Sequence, residues 1–89
     1  YSDEEKIVIA KSYVYPVIKK NAGLSDNQLT IDEDVWPLIV RPLGYDSGLR
    51  TLERTINGIC RKIARLIVEK KINSIRLTAE NIEQYLPTW

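Results

Sequence analysis

Four arginines at regular spacing are the residues of this chain that are best suited to chemistry. They are Arg50, Arg54, Arg61 and Arg65. On a helix, which turns by about 100° per residue, these side chains fall within an arc of roughly 60°. Arg50 comes first, and a cation at a helix N-terminus is unfavourable unless an anion lies nearby. The spacing therefore leaves two readings open: solvated arginines, or a phosphate contact made by Arg50 beside the free amides of the helix start.

A long amphipathic helix must position these arginines. Apolar residues recur at steps of three and four through this part of the chain, which is the period of a helix with one buried face. They are Leu49, Leu52, Ile56, Ile59, Cys60, Ile63, Leu66 and Ile67. We predict that Asp46 or Ser47 caps the start of this helix. Lys70 and Lys71 suit its carbonyl end, so we predict that the helix ends near them.

The charge is unevenly distributed, although the chain as a whole is nearly neutral. The formal net charge is only +1. Residues 41–71 nevertheless hold eight Lys and Arg against three Asp and Glu. Composition therefore gives no general argument for a nucleic-acid or membrane partner, whereas the predicted helix is locally basic. No apolar run approaches the length that spans a bilayer, and we expect no membrane partner.

Most familiar catalytic and metal-binding groups are missing from the sequence. The chain has no histidine and one cysteine, Cys60, so it holds neither a His-based triad nor a zinc cluster. No G-x-x-x-x-G-K-[S/T] loop is present to hold a triphosphate. Cys60 lies on the apolar face, which favours a buried thiol. We expect no catalytic residue and no metal site in this chain.

The remaining patterns predict three further helices and two strands. A first helix follows Ser2, and Pro16 should kink or break it near residues 13–15. The other predicted elements, in chain order, are strand 29–31, helix 34–41, strand 74–77 and helix 79–86, which is capped by Thr78 and stopped by Pro87. Both strands run into capped helices, so a small two-stranded sheet is expected.

The residues of the central segment resemble a known signature. Residues 48–54 read G-L-R-T-L-E-R and residues 59–62 read I-C-R-K, which is similar to the G-V-R-x-L-E-R…C-R-K signature of Lon-type ATP-dependent proteases. Further segments resemble that family in the same order: Tyr1–Lys6, Leu29–Glu33, Ile75–Thr78 and Asn81–Leu86. One departure is the run 41–45, R-P-L-G-Y, where the family carries a more helix-friendly aromatic and charged run.

The resemblance implies a specific fold and place in a larger protein. It implies a mainly α fold: the four-helix small (lid) subdomain of an AAA+ module, with a short parallel two-stranded sheet. We expect residues 1–89 to form this one subdomain of a longer chain. It also implies that Arg50 is the sensor-2 arginine, which contacts the γ-phosphate of ATP. In the family, ATP and Mg²⁺ are held mainly by the larger ATPase subdomain.

The implied parent is an ATP-dependent serine protease with ATPase activity. Its partners would be the large AAA+ subdomain and the protease domain of the same chain, the other subunits of a homo-hexamer, and unfolded protein substrates. The location would be bacterial cytoplasm or mitochondrial matrix. The isolated segment is not expected to be catalytic.

Two other hypotheses remain. In the first, Arg54, Arg61 and Arg65 contact DNA without sequence preference, or contact a neighbouring subunit, because aligned guanidiniums pair readily with anions. In the second, the chain is a helical packing piece with no ligand.

Overall fold

The computed structural model describes residues 2–40 and 49–86. The first helix, α1, occupies most of the N-terminal part of the chain. α1 consists of an α-helical segment Asp3–Ile9, a π-helical segment Ala10–Val14 and a second α-helical segment Tyr15–Asn21. The side-chain oxygen of Ser2 accepts a hydrogen bond from the amide of Glu5 at 3.2 Å, which caps the start as expected.

The π-helical segment lets α1 keep one face on the core in spite of Pro16. Core-facing residues occur at every fourth position: Lys6, Ala10, Val14, Ile18 and Ala22. In a pure α-helix this spacing drifts by about 40° per step, so four steps would turn the face well away from the core. The amide of Tyr15 donates to the carbonyl of Ala10, five residues back. This wider turn holds about one extra residue, and the extra residue compensates for much of the rotation. α1 therefore changes its winding just before Pro16 and does not end there.

Two short strands form a parallel sheet, as the resemblance implied. β1 spans Leu29–Ile31 and β2 spans Ile75–Leu77, with Leu29 opposite Ile75. Leu29 and Leu77 are fully buried, so one face of the sheet packs on the core. Beyond β1, the amide of Asp32 donates to the carbonyl of Leu77 at 3.0 Å. Arg76 Nε donates to the carboxylate of Asp32 at 2.6 Å, which ties the two strands at their ends.

Two further helices complete the core. A 3₁₀ turn, Glu33–Val35, leads into α2, Trp36–Val40, where Pro37 sits in the first turn and no amide is lost. α3, Arg50–Val68, buries the apolar face that its spacing predicted, and Ile63 at its centre is fully buried. Cys60 is buried as expected, with 1% of its surface exposed.

The predicted fourth helix, residues 79–86, is wrong. Among the described residues the structure has three helices, and this segment forms turns around a 3₁₀ turn, Ile82–Gln84. The predicted cap is present, because Thr78 Oγ1 accepts from the amide of Asn81 at 3.3 Å and Asn81 Oδ1 accepts from the amide of Thr78 at 2.8 Å. Asn81 Nδ2 also donates to the carbonyl of Arg76 at 3.0 Å. A segment this short gains little from helix propagation, so the chain continues as turns after the cap.

The same backbone motif closes α1 and α3. At the end of α1, the amide of Leu24 donates to the carbonyl of Lys19 at 3.1 Å, around Gly23 at a φ of 77°. At the end of α3, the amide of Lys71 donates to the carbonyl of Leu66 at 2.9 Å, around Lys70 at a φ of 61°. Both ends are Schellman caps, in which one left-handed residue satisfies the last carbonyls. α3 thus ends at Val68, two residues before the predicted lysine pair.

Candidate functional site

Arg50 lies at the exposed N-terminus of α3. Arg50 is the first residue of the helix and its side chain is exposed. The N-cap position falls on Leu49, whose carbonyl accepts from the amide of Glu53 at 2.9 Å. Leucine has no side-chain oxygen with which to cap the first-turn amides. The predicted cap residues, Asp46 and Ser47, lie outside the described ranges.

All four predicted arginines are exposed along the outer side of α3. Arg50, Arg54, Arg61 and Arg65 lie on the side away from the buried residues, as the spacing predicted. Arg54 is engaged in an interaction within the chain. The other three form no ion pair with any residue of 2–40 or 49–86. Arg50, Arg61 and Arg65 therefore carry charge that the described part of the domain does not neutralise. We call the row of four arginines the arginine stripe.

A groove runs beside this stripe, between α1 and α3. We call it the α1–α3 groove and define it by the apolar side chains Ile9, Tyr13, Val17 and Ile18 of α1, with Leu49 and Glu53 of α3. It continues along α3 past Arg54 and Asn57. One wall of the groove thus begins next to Arg50 and is continuous with the arginine stripe.

The rest of the C-R-K segment acts inside the domain. Burial raises the pKa of the Cys60 thiol to about 11, so the thiol stays protonated and unreactive at neutral pH. Lys62 Nζ donates to the carbonyl of Gln84 at 2.5 Å and lies 5.8 Å from the ring centre of Tyr85. Lys62 therefore holds the C-terminal turns against α3, while its neighbour Arg61 remains exposed.

Contacts of Tyr15 and Lys19, which the sequence did not predict, hold α1 against Trp36 and the loop that contains Asp26. Tyr15 and Trp36 meet edge to face, with ring centres 5.4 Å apart. Lys19 Nζ lies 5.4 Å from the Tyr15 ring centre and forms an ion pair with Asp26, which lowers the pKa of that carboxyl. Burial raises the pKa of the Tyr15 hydroxyl well above its ordinary value. These contacts fix the orientation of α1, and hence of the groove wall it supplies.

Lys6 is the residue whose placement the sequence reasoning missed most clearly. It is buried, with 3% of its surface exposed, and it is engaged in an interaction within the chain. The signal available was its position four residues before the buried Ala10, on the same helical face.

The described residues offer one kind of ligand chemistry. No group of three or more His, Cys, Asp or Glu side chains within 2–40 and 49–86 is placed to hold a metal ion. Within the same ranges, no helix is long and apolar enough to cross a membrane. An exposed guanidinium at a helix N-terminus can bind a phosphate, but it cannot by itself enclose a nucleotide.

Comparison with known proteins decides the family. Residues 20–75 match the family described as the Lon protease AAA+ ATPase lid domain. The chain belongs to this family. The Lon protease of Buchnera aphidicola subsp. Baizongia pistaciae is 43% identical over 87 residues, which cover 97% of this chain and 11% of that protein. The Lon protease of Desulforamulus reducens is 38% identical over 86 residues, with 97% of this chain and 11% of the relative covered.

Relatives of this lid domain occur in bacteria and in mitochondria. The mitochondrial Lon protease homolog of Drosophila melanogaster is 35% identical over 86 residues, which cover 97% of this chain and 8% of that protein. The lid therefore spans about a tenth of the length of the curated relatives it matches. The resemblance read from residues 48–54 and 59–62 is confirmed at the level of the family.

Proposed function

We propose that this chain is the nucleotide-sensing lid of a Lon-type ATP-dependent serine protease, with Arg50 as the sensor. The observation that carries the proposal is the exposed side chain of Arg50 on the first turn of α3, with no ion pair to any described residue. Such a group can bind an anion, and the γ-phosphate of ATP is the anion that distinguishes an ATPase before and after hydrolysis.

The physical basis is a difference in contact between the ATP and ADP states. The guanidinium is charged at every relevant pH and can bridge two phosphate oxygens. The helix dipole adds partial positive charge at the same point, which also favours an anion there. When the γ-phosphate leaves, this attraction is lost and the lid is free to rotate, because a switch requires different free energies of interaction with its two ligand states.

The larger ATPase subdomain would hold ATP and Mg²⁺, while this chain would supply one cation. When bound, the nucleotide would supply the negatively charged γ-phosphate that Arg50 contacts. In the parent, lid rotation would couple ATP hydrolysis to the unfolding and degradation of protein substrates in a homo-hexamer. Bacterial cytoplasm and mitochondrial matrix both agree with the relatives named above.

The test is an Arg50→Ala substitution in the full-length parent, with nucleotide affinity and ATPase rate as readouts. A charge-assisted hydrogen bond is worth about 1.5–3 kcal/mol, so ATP affinity should fall roughly 10- to 150-fold while ADP affinity changes little. Arg50→Lys should restore part of the discrimination, because lysine keeps the charge and loses the fork.

Arg65→Ala is the matched control, since it removes an exposed arginine from the same helix about 22 Å farther along the axis. Its ATP and ADP affinities should equal those of the wild type. Unchanged ATP affinity in Arg50→Ala, or an equal loss of ATP and ADP affinity, would leave the lid with a packing role only.

A second candidate function is nonspecific DNA binding along α3. The exposure of Arg54, Arg61 and Arg65 on one helix favours it, because aligned cations release counterions when they meet a phosphate backbone. A titration with duplex DNA at about 50 and 200 mM salt tests this candidate, since each phosphate contact steepens the salt dependence. Binding that is absent at the lower salt, or equal at both, rejects it.

A further inference from the structure

Helix α1 presents a continuous apolar strip on its exposed surface. Val8 is 59% exposed, Tyr13 69% and Val17 58%. Val8 shares a surface depression with Ile9, and Ile9 shares the next depression with Tyr13 and Val17, so the strip is unbroken. Elsewhere in residues 2–40 and 49–86, large exposed apolar side chains occur only singly. We call Val8, Tyr13 and Val17 the α1 strip; a strip of this kind is typical of an interaction surface, whereas single residues need no explanation.

The two ends of the α1 strip carry opposite charges. Glu5 lies three residues before Val8, and Lys20 lies three residues after Val17, so each charged side chain is the helical neighbour of one valine. Both charged side chains are exposed, and neither forms an ion pair with a residue of the described ranges. The whole first turn of α1 is acidic and its last turn is basic. α1 is therefore a helix with an acidic beginning, an apolar middle and a basic end.

These residues are arranged symmetrically about the middle of α1. Val8 and Val17 lie at equal distances on either side of a point immediately before Tyr13, and Glu5 and Lys20 lie farther out, again at equal distances. Glu5 and Lys20 lie on the same side of α1, because four α-helical turns hold about 14 residues and the π-helical segment adds about one. A second α1 laid antiparallel to the first would therefore bring Val8 to Val17 and Glu5 to Lys20, twice each.

The charges favour the antiparallel orientation over the parallel one. A parallel pair of α1 helices would place Glu5 beside Glu5 and Lys20 beside Lys20, and such like-charged contacts are unfavourable. The antiparallel pair makes two oppositely charged contacts, and it also sets the acidic helix start of one copy against the basic helix end of the other. Both copies use the same surface, so the contact is isologous and is complete with two copies.

We propose that two copies of this chain associate through an antiparallel contact between their α1 strips. This contact differs from those of the expected homo-hexamer, because a closed ring of six subunits repeats a head-to-tail contact, whereas an isologous contact joins only two copies. The proposal goes beyond nucleotide sensing, since it requires no role for Arg50. It also assigns a partner to the exposed surface of α1 that the arginine stripe does not involve.

Sedimentation equilibrium of the 89-residue chain tests the association. A contact one helix long is small, so the measurement should extend to about 1 mM protein, where we expect a reversible equilibrium of monomer and dimer. Tyr13→Asp places a charge at the centre of the contact and should raise the dissociation constant about tenfold or more. Val68→Asp, at a position that is 79% exposed outside the α1 strip, should leave it unchanged. Monomer at every concentration, or equal effects of the two substitutions, would overturn the proposal.

Charge reversal tests the pairing of Glu5 with Lys20. Glu5→Lys and Lys20→Glu should each raise the dissociation constant about fivefold or more, because each variant makes two like-charged contacts in its own dimer. The helix cap survives Glu5→Lys, because the Ser2 oxygen accepts from the backbone amide of that residue. An equimolar mixture of the two variants should regain the wild-type dissociation constant, since every contact in the mixed dimer again pairs opposite charges. A mixture as weak as its components would overturn the antiparallel contact.

Disulfide formation between copies tests the register. Chains that carry Val8→Cys or Val17→Cys are mixed under mild oxidation by glutathione disulfide, while native Cys60 reacts slowly because it is buried. The disulfide between the two different variants should form about tenfold faster than either disulfide between identical variants, because only the former thiols face each other. Equal rates for all three products would overturn the register. Arg50→Ala should leave the association unchanged, so a failure of nucleotide sensing and a failure of this contact give different results.

Discussion

Replacing Lys70 with glycine should stabilise this domain, although it removes a charge and a whole side chain. Lys70 holds a φ of 61°, the left-handed conformation that closes α3. That conformation costs a residue with a Cβ about 1–2 kcal/mol. Glycine avoids this cost. Two smaller effects act against the glycine variant: its greater freedom in the unfolded chain lowers the free energy of unfolding by about 0.4–1 kcal/mol, and loss of the lysine charge near the carbonyl end lowers it by about 0.3 kcal/mol.

The comparison with alanine isolates the backbone contribution to this stability change. Lys70→Ala removes the same charge and keeps the strain, so the glycine variant should exceed the alanine variant by about 0.8 kcal/mol in free energy of unfolding. For a domain of this size that difference corresponds to roughly 3–6 °C in Tm. Urea unfolding followed by tryptophan fluorescence is a suitable assay, because Trp36 is buried, with 3% of its surface exposed.

The equivalent position of α1 provides the reverse experiment. Gly23 has a φ of 77°, and a Cβ built on it meets no atom within 4 Å. Gly23→Ala should therefore destabilise by a similar amount, about 0.8 kcal/mol, through conformation alone and without a clash. If Lys70→Gly and Lys70→Ala unfold at the same urea concentration, the left-handed cap does not limit the stability of α3 and the reasoning fails.

Three other predictions concern the core, the C-terminal turns and the buried thiol. Ile63→Ala should lower the free energy of unfolding by about 2–5 kcal/mol, whereas Val68→Ala on the exposed side of α3 should change it by less than about 0.5 kcal/mol in the same urea assay. Asn81→Ala should cost about 1–2 kcal/mol by removing the bonds to Thr78 and Arg76, and Glu80→Ala, an exposed neighbour, should cost almost nothing; equal losses would show that those bonds are unimportant. Because the pKa of Cys60 rises from 9.0 to about 11 on folding, the native state keeps a proton that the unfolded state releases, so stability should decline between pH 9 and 11. Cys60→Ala should decline less over that interval, and identical pH profiles of the two proteins would contradict the assignment.

The parts of the fold that follow a strong period could be predicted from the sequence. The apolar face of α3 has many members at helical spacing, so Ile56, Ile59 and Ile63 were placed correctly in the core. β1 was also placed correctly, because its short alternating run is bounded by polar residues. The parallel direction of the strands came from the family resemblance, since the spacing of residues fixes no strand direction.

The errors arose where a segment is too short or where tertiary packing overrides a pattern. The last predicted helix has its cap, since Thr78 Oγ1 accepts from the amide of Asn81 and Asn81 Oδ1 accepts from the amide of Thr78, but the segment is too short to continue as an α-helix. The burial of Lys6 was not predicted, although its spacing of four residues from Ala10 places it on the core side of α1. Residue type argues against such a placement, because lysine is almost never fully buried unless it has a partner.

At the candidate site the sequence predicted the types and exposure of the arginines and missed the groove beside them. The exposure of Val8, Tyr13 and Val17 was not predicted, because a sequence pattern does not show which apolar residues a small domain leaves uncovered. The placement of Arg50 at the helix start agrees with the signature, while its nucleotide contact remains a prediction for the parent protein to test.

The π-helical segment Ala10–Val14 also affects how related sequences should be compared. It inserts about one residue relative to straight α-helical winding, without displacing the loop that follows or the capping turn that precedes it. A relative whose first helix is α-helical throughout should therefore align with a gap of one residue opposite the π-helical segment of α1. A sequence alignment that allows gaps only in loops would shift every position before that segment by one. Lys6 would then be aligned with a solvent-exposed residue of the relative.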